Sequence, residues 1–131
     1  MNPDIEGLYQ EIGSEACALA LDLQGKLLVY AEVEDGVISG NLFYEKGDAH
    51  VVTFKYCPEG LRDLIYSLWE KWNTYPGNAE WRAMTYLIQD GKFSIDLTYP
   101  EQMSLDEGLP ERRPRVIEKY FGDVKVDYSK P

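Results

Sequence analysis

The chain has 131 residues and a mass of 15.0 kDa, which is the size of one domain with a single core. Apolar residues make up 44% and charged residues 27%, which is ordinary globular usage and excludes a disordered or fibrous chain. The net charge is −10, and a field of that sign repels phosphate backbones and disfavours direct nucleic-acid binding.

The negative charge is concentrated at the start of the chain. Residues 1–48 carry ten acidic and two basic residues, whereas residues 49–131 carry thirteen and eleven. An acidic surface of this kind attracts a basic protein, such as a nuclease whose own surface holds nucleic acid. Solubility alone explains the same charge equally well.

The sequence predicts a cytoplasmic protein without a membrane partner. Residues 1–6 are acidic where a signal peptide would be basic, and the mean hydropathy of −0.39 leaves no stretch resembling a membrane span. Cys17 and Cys57 lie far apart in the sequence, so we expect two free thiols and no disulfide framework.

The first predicted element is a helix over residues 3–20, with Asn2 as its cap and Pro3 in its first turn. Its apolar residues recur at helical spacing and form one stripe. Gly7 and Gly13 weaken the helix, since a glycine in a helix interior costs about 1 kcal/mol relative to alanine.

A three-stranded meander follows, over residues 26–33, 37–45 and 49–56. The first turn contains Asp35-Gly36, a dipeptide that supplies the positive φ angles of a tight hairpin. A helix over residues 59–73 comes next. It has a strong apolar stripe consisting of Leu61, Leu64, Ile65, Leu68 and Trp72.

The second half contains a hairpin that pairs residues 81–88 with 92–99 through Asp90-Gly91. A final helix is predicted over residues 110–120, with Pro114 near its first turn, and a short closing strand after it. The fold class is therefore α+β, in one domain over residues 1–131. We expect an antiparallel β-sheet with helices packed on one face, in the order α-β-β-β-α-β-β-α.

Signals for catalysis are weak. The single histidine, His50, has no cysteine or carboxylate at a zinc-ligand spacing, and the phosphate-binding glycine motifs are absent from the sequence. We therefore expect no catalytic residue, no metal and no cofactor. A small enzyme that uses clustered carboxylates or arginines is the least favoured alternative.

Arg112, Arg113 and Arg115 form the one local concentration of positive charge. They suit a clamp for a phosphate or carboxylate group. We favour the intramolecular interpretation, in which they pair with the chain's own acidic residues.

Acidic residues beside aromatic residues suggest a surface for a basic partner. Such residues occur at the two ends of the meander and around the break after the second helix. The candidate contacts are Glu32, Glu34, Asp35, Tyr44, Glu45, Asp48, Tyr75 and Trp81. A solvated strand edge explains the acidic ones equally well, because charges there prevent unwanted strand pairing.

Several short runs, in the same order along nearly the whole chain, resemble those of the YezG-like immunity proteins of bacterial polymorphic toxin systems. The best single run is Gly91-Lys92-Phe93-Ser94-Ile95-Asp96. The others are Leu8-Tyr9-Gln10, Tyr30-Ala31-Glu32-Val33, Leu42-Phe43-Tyr44, Leu64-Ile65-Tyr66-Ser67-Leu68-Trp69, Trp81, Tyr99 and Glu111-Arg112-Arg113.

This resemblance implies binding rather than catalysis: an antitoxin that contacts a cognate toxin domain, often a nuclease, and blocks it. Immunity families vary most at their contact surfaces, so the resemblance assigns no binding residue. The alternative is an acidic adaptor or regulatory module for a cellular partner. An exposed edge strand would also permit a homodimer.

Overall fold

The computed structural model describes residues 3–47, 50–104, 106–129 and 131. Across this part of the chain there are three α-helices, six strands and one short 3₁₀ helix. The helices are α1 (Pro3–Leu19), α2 (Glu59–Asn73) and α3 (Leu109–Phe121), and the 3₁₀ helix covers Pro100–Gln102. The strands are β1 (Leu27–Glu34), β2 (Val37–Glu45), β3 (Val51–Tyr56), β4 (Ala83–Gln89), β5 (Lys92–Thr98) and β6 (Lys125–Asp127).

The described strands form one sheet in the order β5-β4-β1-β2-β3-β6. The first five strands pair antiparallel with their neighbours, and the predicted α+β class and element order are confirmed. The closing strand β6 pairs parallel to β3, so the sheet is not wholly antiparallel. Parallel pairing follows from the route of the chain, which crosses the sheet through α3 before it reaches β6.

The helices cover both faces of the sheet, which corrects the expectation that they pack on one. One core lies under α1 and α2, where Ile12 and Ile65 pack with Val29 of β1. A second, smaller core lies under α3, where Ile117 packs with Leu28 and neighbouring strand residues. Consecutive residues of β1 therefore enter different cores, because side chains alternate across a strand.

The two predicted hairpin turns are present with the expected backbone. Asp35 and Gly36 have φ angles of 53° and 76°, and Asp90 and Gly91 have 55° and 74°. Positive φ at both central residues is the geometry that matches the twist of a two-residue hairpin.

The ends of some elements differ from the sequence prediction. Pro114 lies inside α3 rather than near its first turn, because the helix already begins at Leu109. The Gly108 N–H is satisfied by Oε2 of Glu111 at 2.9 Å, which fixes that start. The expected cap Asn2 and the first residue of the third strand, Ala49, lie outside the described residues.

Candidate functional site

A buried ion pair joins α3 to the central strand of the sheet. Nε and Nη2 of Arg112 donate to the two carboxylate oxygens of Glu32 over 2.7 and 2.6 Å. Tyr30 precedes Glu32 by two residues on β1, so both face α3, and its hydroxyl donates to Oε2 of Glu32. Glu32 is only 6% exposed, and this bidentate geometry offsets the cost of burying its charge.

The ion pair is held in its charged form. Burial alone would raise the pKa of Glu32, but hydrogen bonds from Arg112 and Tyr30 outweigh it and keep that pKa below its ordinary value. The bond to Glu32 raises the pKa of Arg112, while burial and Glu32 raise that of Tyr30. None of the three groups is tuned to exchange a proton near neutral pH, so the arrangement is a structural link.

Two clefts open beside Arg112. One, of about 290 Å³, lies between α3 and the strands β4 and β5. Its further cations are paired within the chain: Arg115 lies 2.5 Å from Glu107, and Lys119 lies 3.7 Å from Asp96. The other cleft, of about 320 Å³, contains Arg82, whose Nη2 lies 3.6 Å from Glu34.

The arginines of the arginine-rich segment make their contacts within the same chain. Arg112 and Arg115 bind carboxylates of the same chain, and the guanidinium of Arg113 lies 5.6 Å from the centre of the Phe54 ring. Such pairing leaves Arg112 and Arg115 engaged and gives little support to a clamp for an external anion.

Three of the predicted contact residues are buried, which corrects the expectation that they are exposed. Glu32 is held by Arg112. Tyr44 is 2% exposed and donates its hydroxyl to Asp22 at 2.7 Å; burial, then Asp22, raises its pKa to about 12. Trp81 is 1% exposed within the larger core. A side chain that is enclosed in this way offers no area to a partner.

The remaining predicted contacts lie at separate places. Glu34 and Asp35 are exposed at the β1–β2 turn. Glu45 is half-buried at the opposite end of β2, where its Oε1 accepts a bond from the Lys26 N–H at 2.6 Å. Tyr75 is half-buried against the core, and Asp48 lies outside the described residues. Among those that the structure describes, only Glu34 and Asp35 lie beside each other.

A shallow groove beside this turn adds residues that the sequence analysis missed. Gly36, Val37 and Ile38 of the hairpin form one wall, and Glu59, Arg62, Asp63 and Tyr66 of α2 form the other, around about 380 Å³. Asp35 directly precedes Gly36, whereas Glu34 lines the cleft that contains Arg82. We refer to Asp35 and the seven lining residues as the acidic groove.

The acidic groove combines charge with exposed apolar area. Its charged residues Asp35, Glu59, Arg62 and Asp63 are all exposed, so three acidic side chains stand against one basic side chain. Val37 is 65% exposed, and Tyr66 is half-buried. The sequence did contain a signal for the position of this groove. Because β3 runs antiparallel to β2, the end of β3 and the start of α2 must lie at the same end of the sheet as the β1–β2 turn.

Two further observations apply to the described part of the chain. It contains no group of three or more histidine, cysteine or acidic residues placed to hold a metal ion. Among its helices, none combines the length and apolar character needed to cross a membrane. Cys17 and Cys57 are both free thiols, and burial raises the pKa of Cys57 to about 12.

Comparison of the chain with models of known protein families gave no match, and comparison with curated proteins gave none either. The resemblance to YezG-like immunity proteins therefore stays a hypothesis, drawn from the short runs described above.

Proposed function

We propose that the protein is a cytoplasmic immunity protein, which binds a cognate toxin domain and neutralises it by direct contact. A basic nuclease domain is the partner that the charge of the chain favours. The short runs shared with YezG-like proteins support the class of function. The acidic groove is the observation that supports a particular contact surface for the toxin.

The acidic groove suits the long basic side chains of a nucleic-acid-binding surface. The head of a lysine or arginine would lie near Asp63, with Asp35 in the adjoining turn, and its aliphatic stem would pack on Val37 and Tyr66. The surrounding negative field would speed the encounter of the two proteins. Inhibition in this form requires no chemistry from the immunity protein, because it excludes the toxin's own substrate.

Co-expression with the C-terminal domain of the protein encoded immediately upstream tests the proposal. We expect the toxic domain to arrest growth alone, and co-expression to restore growth and yield a stable complex on purification. A toxic domain that is neither bound nor relieved would contradict the immunity function.

Neutralising the acidic groove tests the surface. We expect Asp35→Asn combined with Asp63→Asn to slow association with the toxin by about tenfold at low salt, since charged side chains mainly set the association rate. The effect should shrink as salt is raised, because exposed charges are screened over about 10 Å at 0.1 M ionic strength. Stopped-flow kinetics, or binding kinetics with one partner immobilised, would measure the association rate and its dependence on salt.

The second hairpin supplies a matched control. Asp90 occupies the same turn position as Asp35, with φ angles of 55° and 53°, and each is followed by glycine. Asp90→Asn combined with Glu101→Gln removes the same number of charges outside the acidic groove. Equal slowing by the two double variants would remove the acidic groove from the proposal and leave net charge as the cause.

The alternative is an acidic adaptor or regulatory module that uses the same groove on a cellular partner. The two functions share the surface and differ in the partner, so the growth assay separates them. An adaptor would give no rescue from any neighbouring toxin, and its variants would alter a complex already present in the cell.

A further inference from the structure

The outer edge of β5 is unpaired in the described sheet. In the described sheet, β5 is an end strand with seven residues, whereas β6 at the other end has three. β5 contains no proline, and its only charged residues are Lys92 and Asp96. Edges are usually protected by shortness, prolines or dense charge, and β5 has little of this protection.

The hairpin geometry determines which backbone groups face outward. In a two-residue hairpin the residues flanking the turn, here Gln89 and Lys92, form a hydrogen-bonded pair, and such pairs then alternate along the strands. Lys92, Ser94 and Asp96 therefore bond to β4. The N–H and C=O groups of Phe93 and Ile95 point to the free edge.

The side chains of β5 match a reversed copy of the same strand. With a twofold axis through Ser94, Lys92 of one copy lies across from Asp96 of the other, and Phe93 lies across from Ile95. Each of these pairs occurs twice. A register centred on Asp96 would instead place two like charges directly opposite each other, which is unfavourable.

We propose that the protein forms a symmetric dimer through antiparallel pairing of β5 with β5 of a second copy, centred on Ser94. The dimer joins two six-stranded sheets into one continuous sheet. Phe93 is 40% exposed, and Ile95 is half-buried. The paired strands cover both side chains further. This proposal does not depend on the function of the acidic groove, which is built from other elements.

Analytical ultracentrifugation over a range of protein concentrations, in a buffer of fixed salt, tests the dimer. We expect Lys92→Asp to raise the dissociation constant by about tenfold, because two attractive pairs become two repulsive ones. The exchange Lys92→Asp with Asp96→Lys restores opposite charges across the axis but also places a second cation beside Lys119, which contacts Asp96 at 3.7 Å, so it should recover part of the lost affinity.

Lys125→Asp is the control, because Lys125 is exposed on β6 at the other edge and its substitution changes the net charge equally. Ile95→Pro is a second probe, which removes an outward N–H without removing a bond to β4. We expect it to give a monomer with an unchanged circular dichroism spectrum. A wild-type chain that stays monomeric, a dimer equally sensitive to Lys125→Asp, or an exchange variant that fails to recover would overturn the proposal.

Discussion

At the scale of single residues, the contact between Arg112 and Glu32 has the largest predicted effect on stability. Arg112→Met leaves the Glu32 carboxylate buried without its cation, and breaking a buried pair in this way costs about 3–5 kcal/mol. We expect this loss in the free energy of unfolding, measured by urea denaturation.

Arg115→Met, on the same helix, is the comparison. Arg115 also contacts a carboxylate, that of Glu107, but its side chain is 60% exposed, so the loss should stay within about 1 kcal/mol. Similar losses for the two variants would show that Arg112 acts through solvent-screened charge rather than through a buried link.

The depressed pKa of Glu32 predicts a dependence of stability on acid. Its folded-state pKa lies below the ordinary value of 4.5, so the stabilisation is present above that value and is lost as the pH falls through the folded pKa. Glu32→Gln has no such group to protonate. The free energy of unfolding of this variant should be lower than that of the wild-type protein at pH 7 and should decline less steeply toward pH 3.

Urea midpoints measured at intervals from pH 7 to pH 3 would give the two profiles. The other carboxylates are common to both proteins, so the difference between the profiles reports Glu32. Profiles that stay parallel would mean that Glu32 is not stabilised as an anion.

The burial of Glu32 could not be predicted from the sequence around it. Glu32 belongs to an alternating acidic and apolar run, which in an edge strand would face water. Here β1 is central, with β2 and β4 on its two sides and helices over both faces. Its burial depends on α3, which lies far away in the sequence, so no local pattern identifies it.

At the scale of elements, the two glycines of α1 predict opposite effects. A Cβ added at Gly7 would meet nothing within 4 Å, so Gly7→Ala should stabilise the protein by about 0.5–1 kcal/mol through helix propensity. A Cβ at Gly13 would lie 2.6 Å from the Tyr86 hydroxyl, which donates to the backbone carbonyl of Tyr9 at 2.8 Å.

Gly13→Ala should therefore destabilise the protein despite its better helix propensity. Tyr86 is 1% exposed and stacks on Phe93 at 5.3 Å, so it has little room to move away. Thermal unfolding of both variants would test the contrast. Adding Tyr86→Phe to Gly13→Ala should recover part of the loss, and its failure to do so would contradict the steric explanation.

Local sequence predicted the elements that local forces determine. The Asp-Gly turns predicted both hairpins, and the apolar stripe of Leu61, Ile65 and Leu68 predicted a helix whose buried face is the one observed. Contacts between distant parts of the chain determined the rest. The apolar face of α3 packs on the second side of the sheet, and no turn signal indicates this placement.

At the scale of the whole molecule, the candidate sites also depend on contacts between distant parts of the chain rather than on local sequence signals. Charge counts indicated an acidic protein, but they did not distinguish Tyr44 and Trp81, which fill the core, from exposed aromatic residues. The acidic groove depends on the antiparallel course of β2 and β3, which brings α2 beside the β1–β2 turn. The β5 edge depends on β4 joining β1 on the side away from β2.

The central position of β1 has a consequence for synthesis. β1 leaves the ribosome with β2 soon after it, but its other neighbour, β4, begins only at Ala83. During that interval one side of an apolar strand stays unpaired, and closing the sheet requires contacts between distant segments. A nascent chain paused between α2 and β4 would therefore be the species most open to chaperone capture or aggregation.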